Sequence, residues 1–75
     1  MNHADAELRV KKVVQILANA RTSVGISQYR LAELTSLSRE AIRLIEKGDR
    51  TPTLHSLLLI ASALDVNLGS ILGEE

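Results

Sequence analysis

The side chains best suited to chemistry lie between Arg39 and Lys47. Advancing at about 100° per residue, this segment gathers Ala41, Ile42 and Ile45 on one side of a helix and Arg39, Arg43 and Lys47 opposite, with Glu40 beside them. Arginine can meet guanine O6 and N7 through two parallel hydrogen bonds, so a short helix with cations outward suits the major groove of DNA. A solvated charged face is also the ordinary state of a surface helix. The segment alone does not choose between these readings.

Other chemistries have little to work with. The chain has no cysteine, which excludes a disulfide framework and a thiolate metal site. His3 and His55 lie far apart without ligand spacing, so no metal or cofactor is expected. His55 and Ser56 are neighbours and would point in different directions on a helix. Gly25, Gly48, Gly69 and Gly73 form no phosphate-binding loop, and no carboxylate pair marks a cleft. An enzyme or a small-molecule ligand is therefore not expected. The longest uninterrupted apolar stretch, Leu57 to Ala61, stops at Ser62, far short of the ~18 residues of a membrane span. Met1 to Asp5 lacks the basic and apolar regions of a secretory signal. A cytoplasmic protein is expected.

The formal net charge is zero, whereas nucleic-acid binders usually carry a basic excess. Its distribution is more informative. Between Arg21 and Arg50, six basic residues (Arg21, Arg30, Arg39, Arg43, Lys47, Arg50) face four acidic ones (Glu33, Glu40, Glu46, Asp49), leaving +2. Asp65, Glu74 and Glu75 hold acid at the other end. Such weak polarity predicts modest non-specific DNA affinity.

These residues need elements to position them. Seventy-five residues make one domain, 1–75, and a chain this short buries only about 60% of its unfolded surface. Apolar residues recur at helical spacing, and Ser27, Ser38, Thr53 and Asn67 each stand ready to cap such a segment. An all-α chain of five helices is predicted. The first runs from near Asp5 to about Arg21, with Val10, Val13, Val14, Leu17 and Ala20 inward and Gly25 in the following turn. The second spans Gln28 to Thr35, and Ser36-Leu37-Ser38 turns into the third, Arg39 to Lys47, ended by Gly48. Pro52 disfavours helix at Thr51. The fourth runs from Leu54 to about Asp65 on a stripe of Leu54, Leu57, Leu58, Ala61 and Leu64, and the fifth from Leu68 to about Gly73. The ends, including Glu74-Glu75, are expected to fray.

Ser27-Gln28, Leu31-Ala32, Leu37-Ser38, Ile42, Ile45-Glu46-Lys47-Gly48, Pro52, Leu57, Ile60-Ala61, Leu64 and Val66 together resemble the signature of the phage repressor and Cro-type (XRE-like) helix-turn-helix family. The resemblance covers about Arg21 to Leu72, with an N-terminal extension of the first helix before it. The Ser36-Leu37-Ser38-Arg39 turn is also similar to that of restriction-modification controller proteins. The resemblance implies a λ-repressor-like fold with its helix-turn-helix at helices two and three. It also implies a bacterial or phage regulator bound to double-stranded DNA.

Carried over by position, Arg39 and Glu40 are expected at base edges, with Arg43 one turn later, toward base or phosphate. Gln28, Tyr29, Ser38, Lys47 and Arg50 are expected at phosphates, contacts that position without reading sequence, and Gln28 is also expected to brace the third helix. Arg21 and Glu46 match a family ion pair tying the first helix to the third. The sequence departs from the family pattern at two places. Ser36 stands where the turn usually has glycine, so a non-glycine residue at positive φ is expected. Leu44 replaces a usually polar residue, and either meets a thymine methyl or packs on a neighbouring helix. Glu40 either accepts from cytosine N4 or simply favours a helix N-terminus.

Leu58, Leu59, Leu68, Ile71 and Leu72 are more apolar surface than so small a chain is expected to hide. Exposed apolar patches usually mark an interaction site, so a homodimer through these residues is predicted, reading a pseudo-palindromic operator. The alternative is that they complete the monomer core. A competing reading of function is an antitoxin or adaptor whose main partner is another protein, such as a toxin or a second regulator. Zero net charge favours that reading, and Gln28, Arg39, Arg43 and Lys47 oppose it.

Overall fold

The computed structural model describes residues 1–73, so the expected fraying of Glu74-Glu75 lies outside the described residues. Five helices follow one another: α1 His3–Val24, α2 Gln28–Thr35, α3 Arg39–Lys47, α4 Leu54–Ala63 and α5 Leu68–Gly73. No strand occurs among the described residues. At about 1.5 Å rise per residue, the 22-residue α1 accounts for the long axis of a body measuring 34 × 23 × 19 Å.

Local chemistry sets the helix starts. The Ser27, Ser38 and Thr53 side chains accept the backbone N–H of Arg30, Ala41 and Ser56, and Asn67 Oδ1 accepts that of Ser70 at 3.0 Å. Each satisfies one donor that the first turn leaves unpaired. The start of α1 lies two residues before the expected Asp5. Asn2 accepts the N–H of Asp5 at 2.8 Å and Asp5 reaches back to the N–H of Asn2, a reciprocal capping box.

The ends of the helices are sterically governed. Gly25 (φ 81°) and Gly48 (φ 88°) take the left-handed region, which glycine enters at little cost. The turn at Gly25 lets α1 run to Val24 rather than Arg21. Ser36 sits at φ 62° and closes α2 without glycine. The residue before it compensates: Thr35, 4% exposed, donates its hydroxyl to the Leu31 carbonyl at 2.8 Å and accepts the Leu37 N–H at 3.3 Å. Asp65 (φ 56°) performs the same reversal after α4, which ends at Ala63 rather than near Asp65.

One core joins the helices: Val13 and Leu17 of α1, Leu31 and Ala32 of α2, Ile42 of α3, Ile60 and Ala61 of α4, with Leu64, Leu68 and Ile71. The expected stripe of α4 holds at Ala61 and Leu64 and is corrected elsewhere. Leu54 and Leu58 are exposed, Leu57 is half-buried and Ile60 is buried, so the helix is turned toward Ile60. His55 and Ser62 are exposed on the opposite side, and among the unbroken apolar residues from Leu57 to Ala61 packing decides which go inward. Leu68 and Ile71, expected at a dimer face, are only 6% and 8% exposed. They belong to the core because α5 folds back and covers this chain's own α4.

Candidate nucleic-acid interface

The third helix presents its cations because its other side is the core. Ile42 and Ile45 are buried and Ala41 half-buried, leaving Arg39, Glu40, Arg43 and Lys47 exposed on the outer side. The burial anchors a nine-residue helix that would be marginal alone, since isolated helices under about 12–15 residues rarely persist.

The charges differ in their partners. Arg43 Nε donates to Glu40 Oε1 at 2.7 Å, and Arg43 Nη2 also contacts that oxygen. Lys47 Nζ lies 3.3 Å from Asp49 Oδ2. Arg39 and Arg50 have no ion-pair partner among the described residues. Ser38 is exposed. Its oxygen is used by the Ala41 N–H at 3.0 Å, while its own hydroxyl proton remains available. Tyr29 is exposed with its ring at the start of α2. Leu44 is half-buried, and its carbonyl accepts the N–H groups of Asp49 and Arg50 at 3.0 and 3.3 Å. The backbone bearing Arg50 is thereby tied to the end of the third helix.

Behind this surface lies a polar clasp. Arg21 Nε donates to Glu46 Oε2 at 2.7 Å and Arg21 Nη2 to Glu46 Oε1 at 3.0 Å, with both side chains 14% exposed. Arg21 Nη1 also donates to the Ile26 carbonyl at 2.7 Å, and Gln28 Nε2 to Glu46 Oε1 at 3.0 Å. The Arg21–Glu46 pair therefore draws together α1, the α1–α2 turn, α2 and α3. One amide hydrogen of Gln28 is committed to this clasp, and the other has no partner among the described residues. The Ile26 carbonyl and the Thr35 hydroxyl are structural partners that the sequence reading missed. A polar residue ending α2 just before a non-glycine turn was the available signal for Thr35.

A hollow of about 540 Å³ opens between the first half of α1 and the 48–52 segment and mixes Glu7, Lys11, Lys47, Asp49 and Arg50. Among the described residues no group of His, Asp and Glu is placed to hold a metal, and no helix is long and apolar enough to cross a membrane.

Comparison with known proteins agrees with the geometry. The profile of the helix-turn-helix family matches residues 17–71. The chain is 29% identical over 62 residues to the cryptic phage CTXphi transcriptional repressor RstR of Vibrio cholerae, across 83% of this chain and 55% of that protein. It therefore spans little more than half the length of that relative. It is 32% identical over 72 residues to the control protein C.SmaI of Serratia marcescens, across 91% of this chain and 86% of that protein. No solved structure gives a significant match. The chain belongs to the helix-turn-helix family, in its phage repressor and Cro-type (XRE-like) form, whose members are DNA-binding transcriptional regulators and not enzymes.

Proposed function

We propose that the chain regulates transcription by laying α3 in the major groove of a specific double-stranded operator. The exposed row of Arg39, Arg43 and Lys47 above the buried Ile42 and Ile45 carries this reading. In it, Arg39, Glu40, Arg43 and Leu44 approach base edges. Gln28, Tyr29, Ser38, Lys47 and Arg50 approach phosphates and set the register. The names of the two relatives, a transcriptional repressor and a control protein, support regulation over simple DNA packaging. The protein would act in the cytoplasm of a bacterial host, with no cofactor.

The test is fluorescence anisotropy against DNA selected from a randomised pool, with excess competitor. Arg39→Ala is expected to lose about 1–3 kcal/mol of binding to the selected site and much less to competitor. Equal loss on both would reduce Arg39 to a backbone contact, and binding abolished alike by salt for every duplex would reject sequence reading.

The reading includes a homodimer on two half-sites about one helical turn apart. With Leu68 and Ile71 in the core, the dimer surface narrows to exposed Leu58 and Leu72 and half-buried Leu59. Replacing Leu58 and Leu72 together by aspartate is expected to leave a folded monomer in sedimentation equilibrium and to weaken operator binding. A variant that sediments as a dimer would reject this surface.

A further inference from the structure

The ion pair on the recognition helix has a direction that its charges alone do not require. Both Arg43 nitrogens that meet Glu40 Oε1, Nε and Nη2, lie along one edge of the planar guanidinium. The other edge, made by the outward hydrogens of Nη1 and Nη2, has no partner among the described residues. A guanine offering O6 and N7 needs two parallel donors in one plane, and this open edge supplies them. The clasp of Arg21 shows the same division of labour within this chain: Nε and Nη2 hold the Glu46 carboxylate, and Nη1 is left for the Ile26 carbonyl.

Glu40 and Arg43 are three residues apart on α3, which places them on the same side of the helix. Their side chains remain 60% and 49% exposed. An exposed pair of this kind adds little to folding. A carboxylate beside DNA is, moreover, repelled by phosphate at every sequence. Glu40 must therefore contribute something other than stability or general affinity if it is to favour binding. Orientation is that contribution. An arginine held in its binding geometry beforehand loses less freedom when it docks, and a held guanidinium adapts less readily to a wrong base. Lys47 and Asp49, 3.3 Å apart, offer no counterpart, because an ammonium is a point charge without an edge to aim.

We propose that Glu40 is a positioning residue that aims the free edge of Arg43 at a guanine, raising sequence discrimination at the expense of general DNA affinity. This rests on the reading that α3 docks in the major groove, and it changes the expected role of Glu40 from reading a base to holding the reader.

The experiment is a double-mutant cycle on the full chain, using Glu40→Ala, Arg43→Ala and the double variant. Anisotropy is measured on three duplexes. One is the selected operator; the second carries 7-deazaguanine at the guanine most sensitive to Arg43→Ala; the third is an unrelated sequence. Glu40→Ala removes an exposed side chain and introduces the best helix former, and thermal melting checks that the fold is kept. It is expected to bind the unrelated duplex several-fold tighter. Discrimination between the operator and its deaza version is expected to fall by up to about tenfold, and not to change further when Arg43 is already alanine. Equal tightening on all three duplexes would overturn the proposal, leaving Glu40 as a repulsive charge. A loss of discrimination that persists without Arg43 would also overturn it, because Glu40 would then read a base itself. If wild type fails to discriminate between operator and unrelated DNA, the groove-docking reading fails first and takes this one with it.

Discussion

Replacing Glu46 by alanine is expected to lower stability by about 3 kcal/mol, the scale for breaking a buried ion pair from one side. The carboxylate accepts three N–H groups, two from Arg21 and one from Gln28. Its loss strands a guanidinium whose side chain is 14% exposed, too enclosed for water to replace the missing acceptor fully. A chain of this length holds roughly 0.05–0.15 kcal/mol per residue, or about 4–11 kcal/mol in all, so one substitution takes a large share. Urea denaturation followed by circular dichroism would measure it. Replacing Arg21 and Glu46 together by methionine and leucine is expected to cost much less than Glu46→Ala, because no charge is then left unpaired. A single-variant loss below about 1 kcal/mol would show the pair behaving as a surface salt bridge. That would leave the junction of α1 and α3 to its apolar contacts.

Ile42→Ala is expected to cost about 3–4 kcal/mol, within the usual range for emptying a buried isoleucine site. Ile42 is 0% exposed and is the residue of α3 in the core cluster with Leu17, Leu31 and Ile60. Helices on several sides limit how far the site can collapse, which favours the upper part of the range. Ile42→Val should cost only about 0.5–1.5 kcal/mol, and the contrast separates lost volume from a change in helix propensity. The expected functional consequence follows from linkage. On the proposed function, operator DNA binds the folded state and is expected to raise the melting temperature of Ile42→Ala, whereas an unrelated duplex is expected to do so much less. If Ile42→Ala were as stable as wild type, α3 would not depend on this contact for its placement.

These two substitutions also mark where sequence and tertiary structure divide the work. The helix starts at Ser27, Ser38, Thr53 and Asn67 were legible because a cap acts over three residues of local chain. The two faces of α3 were legible because its charges and its aliphatic residues separate cleanly at helical spacing. The positive φ of Ser36 was legible from the position of the turn within the family signature. The start of α1 was misplaced although its signal was local, because its capping box uses Asn2 and Asp5 in place of the usual pairing.

Tertiary structure decided what pattern could not. Which of the successive apolar residues Leu57 to Ala61 go inward, with Ile60 buried and Leu58 exposed, was not marked within that run. The transfer of Leu68 and Ile71 from an expected dimer face to the core depended on how tightly α5 returns, which no periodicity in six residues can state. Gln28 joins Glu46 across 18 residues of chain, and that contact exists only once α2 and α3 have packed. Caps and helix faces are properties of residues within a turn or two of one another. Burial, helix rotation and the choice among competing hydrogen-bond partners depend on distant segments arriving at the same place.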